Sequence, residues 1–217
     1  MTTARRPLIC AHRGASADLP DNSLAAFEAA IAAGADVIET DVRQGPDGRL
    51  VLAHDPVTGS DTNLVGLDEL LAMTRGRIGL DLEIKEPAAA QATCDAVRGW
   101  AGWLMITAFD PETLLAVRRH APRLRTGLIV EAPVTIHPVR AARRCGASAI
   151  LWEDELATPV ALRACATEGL AAWVWTVNAP FGLAERMGDE LEGIITDVPA
   201  LATSLAGSLI GGDAPHG

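Results

Sequence analysis

The sequence predicts one (β/α)8 barrel, and two observations carry that expectation. The chain has 217 residues, which suits a single large α/β domain better than two ordinary ones. Short apolar runs alternate with segments of helical periodicity eight times, which implies parallel strands joined by helical crossovers, and eight such units close into a barrel. A doubly wound open sheet is the alternative reading of the same alternation.

The strand-like runs are PLICAH (7–12), DVIETDV (36–42), LDLEIK (80–85), WLMITAF (103–109), TGLIV (126–130), AILWE (149–153), AWVWTV (172–177) and GIITD (193–197). A small extra strand arm, RLVLAH (49–54), follows the second run and the turn GPDG. Helical spacing spans 23–33, 67–73, 88–100, 111–120, 134–145, 159–168, 181–187 and 199–205. Asp110 before Pro111 and Thr158 before Pro159 read as helix starts, a capping oxygen ahead of a proline in the first turn. The barrel is expected to occupy residues 1–210 as one domain, with 211–217 a loose tail.

Composition narrows the function. A formal net charge of -10 and a pI near 4.9 argue against a nucleic-acid-binding surface, which needs clustered cations. An anionic substrate therefore needs local cationic help. Cys10, Cys94, Cys145 and Cys165 lie far apart in apolar segments and read as reduced core thiols, so the expected compartment is the cytoplasm. His12 and Arg13 break the N-terminal apolar run before it reaches the length of a signal-peptide core, and no segment has the run of apolar residues of a membrane span. Oligomeric state is not legible.

Active sites of such barrels lie at the C-terminal ends of the strands, so the polar residues closing each run are informative. Side chains alternate across a strand, which places Glu39 and Asp41 on one face of the second run and Glu83 and Lys85 on one face of the third. Three carboxylates converging at one rim repel one another, and a hard divalent cation such as Mg²⁺ or Ca²⁺ relieves that repulsion. The competing reading is a set of strand-end ion pairs with Arg13, Arg43 and Lys85. Of five histidines, His12 and His54 each terminate a strand-like run and can serve as general acid and base for one reaction. His120 and His137 sit at helical segments and His216 in the tail. Arg13 and Lys85 offer a guanidinium and an ammonium to a phosphoryl group. Trp152 and Trp175 are read as pocket lining or barrel core, and Asn178 and Asp197 as turn or capping residues.

The motifs HRG with PDNSLAAF, GADVIETDV, DGRLVLAHD, LEIK, WVWTVN and GIITD, in this order over about residues 8–200, resemble the glycerophosphodiester phosphodiesterases. The resemblance implies a (β/α)8 barrel that uses a divalent metal to hydrolyse glycerophosphodiesters to glycerol 3-phosphate and an alcohol, a step in lipid and glycerol metabolism. It implies His12 and His54 as the acid/base pair, Glu39, Asp41 and Glu83 as metal ligands, and Arg13 and Lys85 as phosphate-binding residues. The chain departs from the family where Asp21-Asn22-Ser23 replaces Glu-Asn-Thr, where Ala108 replaces a serine, and in a brief His54-to-Glu83 segment that implies a small lid. Two rival functions remain: a phospholipase-D-like lyase that stops at a cyclic phosphate, and a non-catalytic barrel binding a phosphorylated ligand.

Overall fold

The computed structural model describes residues 6–61 and 63–211. Eight parallel strands form its barrel: β1 Leu8–His12, β2 Val37–Gln44, β4 Gly79–Ile84, β5 Leu104–Ala108, β6 Arg125–Val130, β7 Ala149–Glu153, β8 Ala171–Trp175 and β9 Gly193–Thr196. Pairing of β1 with both β2 and β9 closes the ring, which excludes the open sheet. The extra arm is β3, Leu50–Leu52, antiparallel on the outer half of β2.

Eight helices cover the barrel: α1 Leu24–Ala32, α2 Leu67–Thr74, α3 Ala90–Ala96, α4 Pro111–His120, α5 Pro138–Cys145, α6 Pro159–Thr167, α7 Pro180–Arg186 and α8 Pro199–Gly211. Asp110 and Thr158 cap α4 and α6, accepting from the amides of Glu112 at 3.0 Å and Ala161 at 3.2 Å. Two expected helices begin late. The segment 134–137 stays outside the helix as an irregular loop: Pro138 disfavours helix in the residue before it, and His137, extended, caps α5 from outside. The segment expected as 88–100 opens with a 3-10 turn, Pro87–Ala89, and its regular helix ends at Ala96. Helix α8 runs past the expected end at 205 to Gly211, and the tail expected beyond it lies outside the described residues.

Period-two alternation sorts the strand residues. Outward-facing Ile9, Leu128, Ile150 and Val174 pack under α4–α8, while Ile38, Leu80, Leu82 and Ile106 pack under α1–α4. Inward-facing Cys10, Val37, Met105, Ile129, Leu151, Trp173 and Ile195 fill the barrel. Trp173 fits only because its neighbour across β9 is Gly193, where any Cβ would collide with the indole ring. The barrel is thus plugged below, and polar inward-facing residues gather above, at the C-terminal rim. Trp152 points outward into the helix layer and lines no part of the site.

Candidate active site

The rim is assembled by register. Glu39 lies beside Asp81, and Asp41 beside Glu83, across the β2–β4 pair, while His12 of β1 lies beside Glu39. Ligand oxygens of Glu39, Asp41 and Glu83 fall within 4.8 Å of one another, and all three residues are buried. Above them opens a cavity of about 120 Å³ lined by His12, Arg13, Glu39, His54, Glu83 and Lys85, with Phe109 and Trp175 forming an aromatic wall. Those two rings meet edge to face with centroids 5.7 Å apart. A larger cleft of about 1190 Å³, lined by Arg6, Asp36 and Glu192, lies at the opposite end of the barrel and contains none of these groups.

The expected ion pairs exist in part. Arg13 Nε lies 3.0 Å from Asp41 Oδ2, and Lys85 Nζ lies 3.2 Å from Asp41 Oδ1 and 2.5 Å from Glu83 Oε1. Arg43 turns away to Glu86, at 2.7 Å, and donates to the carbonyl of His54, pinning that loop. Asp41 Oδ1 and Glu83 Oε1 remain without a well-aligned hydrogen bond, so Lys85 serves them as a charge rather than a directed donor.

The carboxyls therefore differ. Burial works to raise Asp41, yet Arg13, a hydrogen bond from Asn22 and Lys85 together hold it below the usual carboxylate range. Burial pushes Glu39 well up, reinforced by the neighbouring Asp41 and Glu83 carboxylates, and burial also raises Glu83 despite Lys85. Three buried carboxylates beside two cations leave an excess of negative charge and unsatisfied oxygens. That all-oxygen donor set fits a hard divalent ion.

Backbone turns deliver the other groups. Arg13 follows β1 at φ 54°, and its amide donates to both the carbonyl and Oε2 of Glu39, at 2.9 and 3.1 Å. Gly14 follows at φ 89°, where a Cβ would stand 2.6 Å from the backbone carbon of Ala26. Asn22, at φ 53°, donates to Asp41 Oδ2 at 2.9 Å and accepts from Thr40 at 2.6 Å.

His12 is held by a residue that sequence reasoning treats as a turn or cap. Its Nδ1 lies 2.6 Å from Asp197 Oδ1, and Asp197 also accepts from Ser16 at 3.1 Å and from Asn178 Nδ2 at 2.6 Å. Burial alone raises Asp197, but the bonds from His12 and Asn178 outweigh it and hold the group low, so it is an ionised acceptor. The Nδ1 of His12 accordingly carries the proton, and Nε2 faces Glu39 Oε2 at 3.9 Å. His54 sits on the loop after β3 with its side chain 48% exposed and Nδ1 3.0 Å from Asp55. Asn22, Asp197 and Asn178 all lie inside quoted motifs, but Asp197 and Asn178 are far from His12 in sequence and only barrel closure joins them. Trp175 belongs to the cavity wall and Trp173 to the barrel core, a division their shared parity hides.

The chain is similar to known proteins over most of its length. The chain is 27% identical over 238 residues to a glycerophosphodiester phosphodiesterase of Caldanaerobacter subterraneus subsp. tengcongensis, an alignment covering 92% of this chain and 98% of that protein. Its fold matches a glycerophosphodiester phosphodiesterase of Agrobacterium tumefaciens with a TM-score of 0.78 at 24% identity, over 91% of this chain and 99% of that one. It also matches an Oleispira antarctica phosphodiesterase, solved in complex with the product sn-glycerol-3-phosphate, with a TM-score of 0.82 at 18% identity over 93% and 97% of the two chains. The family model for glycerophosphoryl diester phosphodiesterases matches residues 12–91 and 85–201, and with that span of the barrel and its rim, the chain belongs to the glycerophosphoryl diester phosphodiesterase family.

Proposed function

We propose that this phosphodiesterase hydrolyses a glycerophosphodiester to glycerol 3-phosphate and an alcohol, with a divalent cation held by Glu39, Asp41 and Glu83 and with His12 and His54 as its acid/base pair. The observation that carries the reading is the placement of a buried three-carboxylate cluster beneath a cavity walled by two histidines, an arginine and a lysine.

A bound Mg²⁺ or Ca²⁺ supplies Lewis-acid stabilisation of charge on a phosphoryl oxygen. The protein does the rest. Arg13 and Lys85 grip the phosphoryl group, and their own pairing with Asp41 and Glu83 keeps both charged. Asp197 holds a proton on Nδ1 of His12 and so turns Nε2 toward the cavity, the nitrogen that in the neutral ring can remove a proton from the attacking hydroxyl. That hydroxyl belongs to water or to the substrate's neighbouring alcohol. His54, the more exposed of the two, protonates the departing alkoxide. Four buried free thiols suit a reducing compartment, and we place the protein in the cytoplasm.

The test is a panel of glycerophosphodiesters incubated with and without chelator, with products read by phosphorus NMR. Metal-dependent release of glycerol 3-phosphate is expected. Accumulation of a cyclic phosphate would favour the lyase instead, and chelator-insensitive turnover would refute the metal assignment.

A further inference from the structure

The floor of the catalytic cavity holds a group that this chemistry leaves unused. Asp81 of β4 is the inward-facing position directly below Glu83. It is 0% exposed as a residue yet lines the cavity. Its Oδ1 accepts from Thr107 Oγ1 at 2.8 Å. Its Oδ2 is buried with no hydrogen-bond partner among the described residues. Nor does it belong to the metal cluster, which comprises only Glu39, Asp41 and Glu83 among the described residues.

An unmet buried oxygen is costly, and proteins keep one where a ligand or a water supplies the missing partner. The surroundings say what kind of ligand. Asp81 and Thr107 are polar, whereas Ile129, Leu151 and Ile195 line the same cavity with hydrocarbon. A phosphate ester gripped at the rim by Arg13 and Lys85 would send its short chain down between these flanks. Such a chain needs a hydroxyl on one side and bare C–H on the other, which is the chemistry of a three-carbon polyol.

We propose that Asp81 is a specificity-determining residue that binds a hydroxyl of the substrate's glycerol moiety at the cavity floor, a role that rests on the glycerophosphodiesterase reading above. A hydroxyl both donates and accepts, so it engages either form of the carboxyl. Thr107 fixes the carboxyl's rotamer from the other side.

Calorimetric titration of the Mg²⁺- or Ca²⁺-loaded protein with sn-glycerol 3-phosphate and with propyl phosphate tests this, since the second ligand keeps the phosphate and three carbons but lacks both hydroxyls. Wild type should favour glycerol 3-phosphate by roughly 10- to 100-fold, and Asp81→Leu should cut that preference by about tenfold, leaving propyl phosphate within about twofold. Asp81→Asn should retain most of the preference, because it keeps an acceptor for Thr107 and a polar atom facing the cavity. Being nearly isosteric, it also separates loss of function from loss of fold. Equal weakening of both ligands would mean that Asp81 acts through the ion site, and an unchanged preference in Asp81→Leu would mean that it faces only water. Either result overturns the assignment. A wild-type protein that hydrolyses no glycerophosphodiester would instead defeat the underlying reading.

Discussion

Burial and the neighbouring charges together set the ionisation of the inward-facing carboxyls, and Asp81, where burial prevails, shows the consequence for stability. Burial, helped by Glu83 and opposed by the Thr107 hydrogen bond, raises its pKa from 3.8 to about 8. Between those values the folded state retains a proton that the unfolded state has released, so stability falls as pH rises through the window and levels off above it. In chelated protein, Asp81→Asn should therefore melt close to wild type near pH 4 and increasingly above it toward pH 8, each kcal/mol being worth about 2–4 °C. A gap independent of pH would show that Asp81 titrates normally in the fold. The histidines give a second prediction at this scale. His12→Ala and His54→Ala should each lower turnover by about 10²- to 10⁴-fold, and the double variant by less than the product, since the proposed acid/base roles make the two a unit. An ester with a nitrophenyl leaving group should rescue His54→Ala far more than His12→Ala, because that group departs without a proton. Rescue in the opposite order would exchange the two roles.

Among the elements, the β1–α1 connection matters most, because it leaves β1 at His12 and carries Arg13 and Asn22 in one loop tied by backbone bonds such as Asn22 N–H to the Arg13 carbonyl at 3.1 Å. Gly14 makes that loop possible: its φ of 89° is open to glycine, and the approach of Ala26 leaves no room for a side chain. Gly14→Ala should lose most activity and destabilise the protein by about 1–3 kcal/mol, read from urea unfolding alongside turnover. Retained turnover would show that the loop tolerates another path. Most elements were legible because periodicity and proline caps are local signals; Asp110 and Thr158 cap as their position before a proline indicates. Boundaries at α3 and α5 were less so. Pro138 disfavours helix in the residue before it, and nothing in the spacing of 134–145 separates the four loop residues from the helical ones.

For the whole molecule, the cost of holding three carboxylates together is met by whatever neutralises them. Divalent cation should raise the melting temperature at neutral pH, by about 2.7 kcal/mol of stability at a hundredfold excess over Kd. That gain should shrink as pH falls, because Glu39 and Glu83, both raised, take up protons at the oxygens the ion needs. Equal stabilisation at pH 5 and pH 8, followed by differential scanning fluorimetry, would remove the cluster as the binding site. Glu83→Ala should abolish the cation effect and the activity while keeping the barrel, whose core lies below the rim.

Sequence alone determined the barrel, the strands that end in charge, and the pairs Glu39/Asp41 and Glu83/Lys85, because alternation along a strand and the rule of strand ends are local consequences of the backbone. It also supplied His12, Arg13 and His54 as candidates. Only the tertiary structure decided which cations serve the carboxylates, sending Arg43 to Glu86 and Lys85 to Asp41 and Glu83. It alone joined Asp197 to His12 across 185 positions and placed Asp81 at the cavity floor, outside the three-carboxylate cluster. The physical reason is closure. A ring of strands brings its first and last members into contact and turns every second residue inward, so partners far apart in sequence meet there, and their ionisation is set by depth together with the charges they meet.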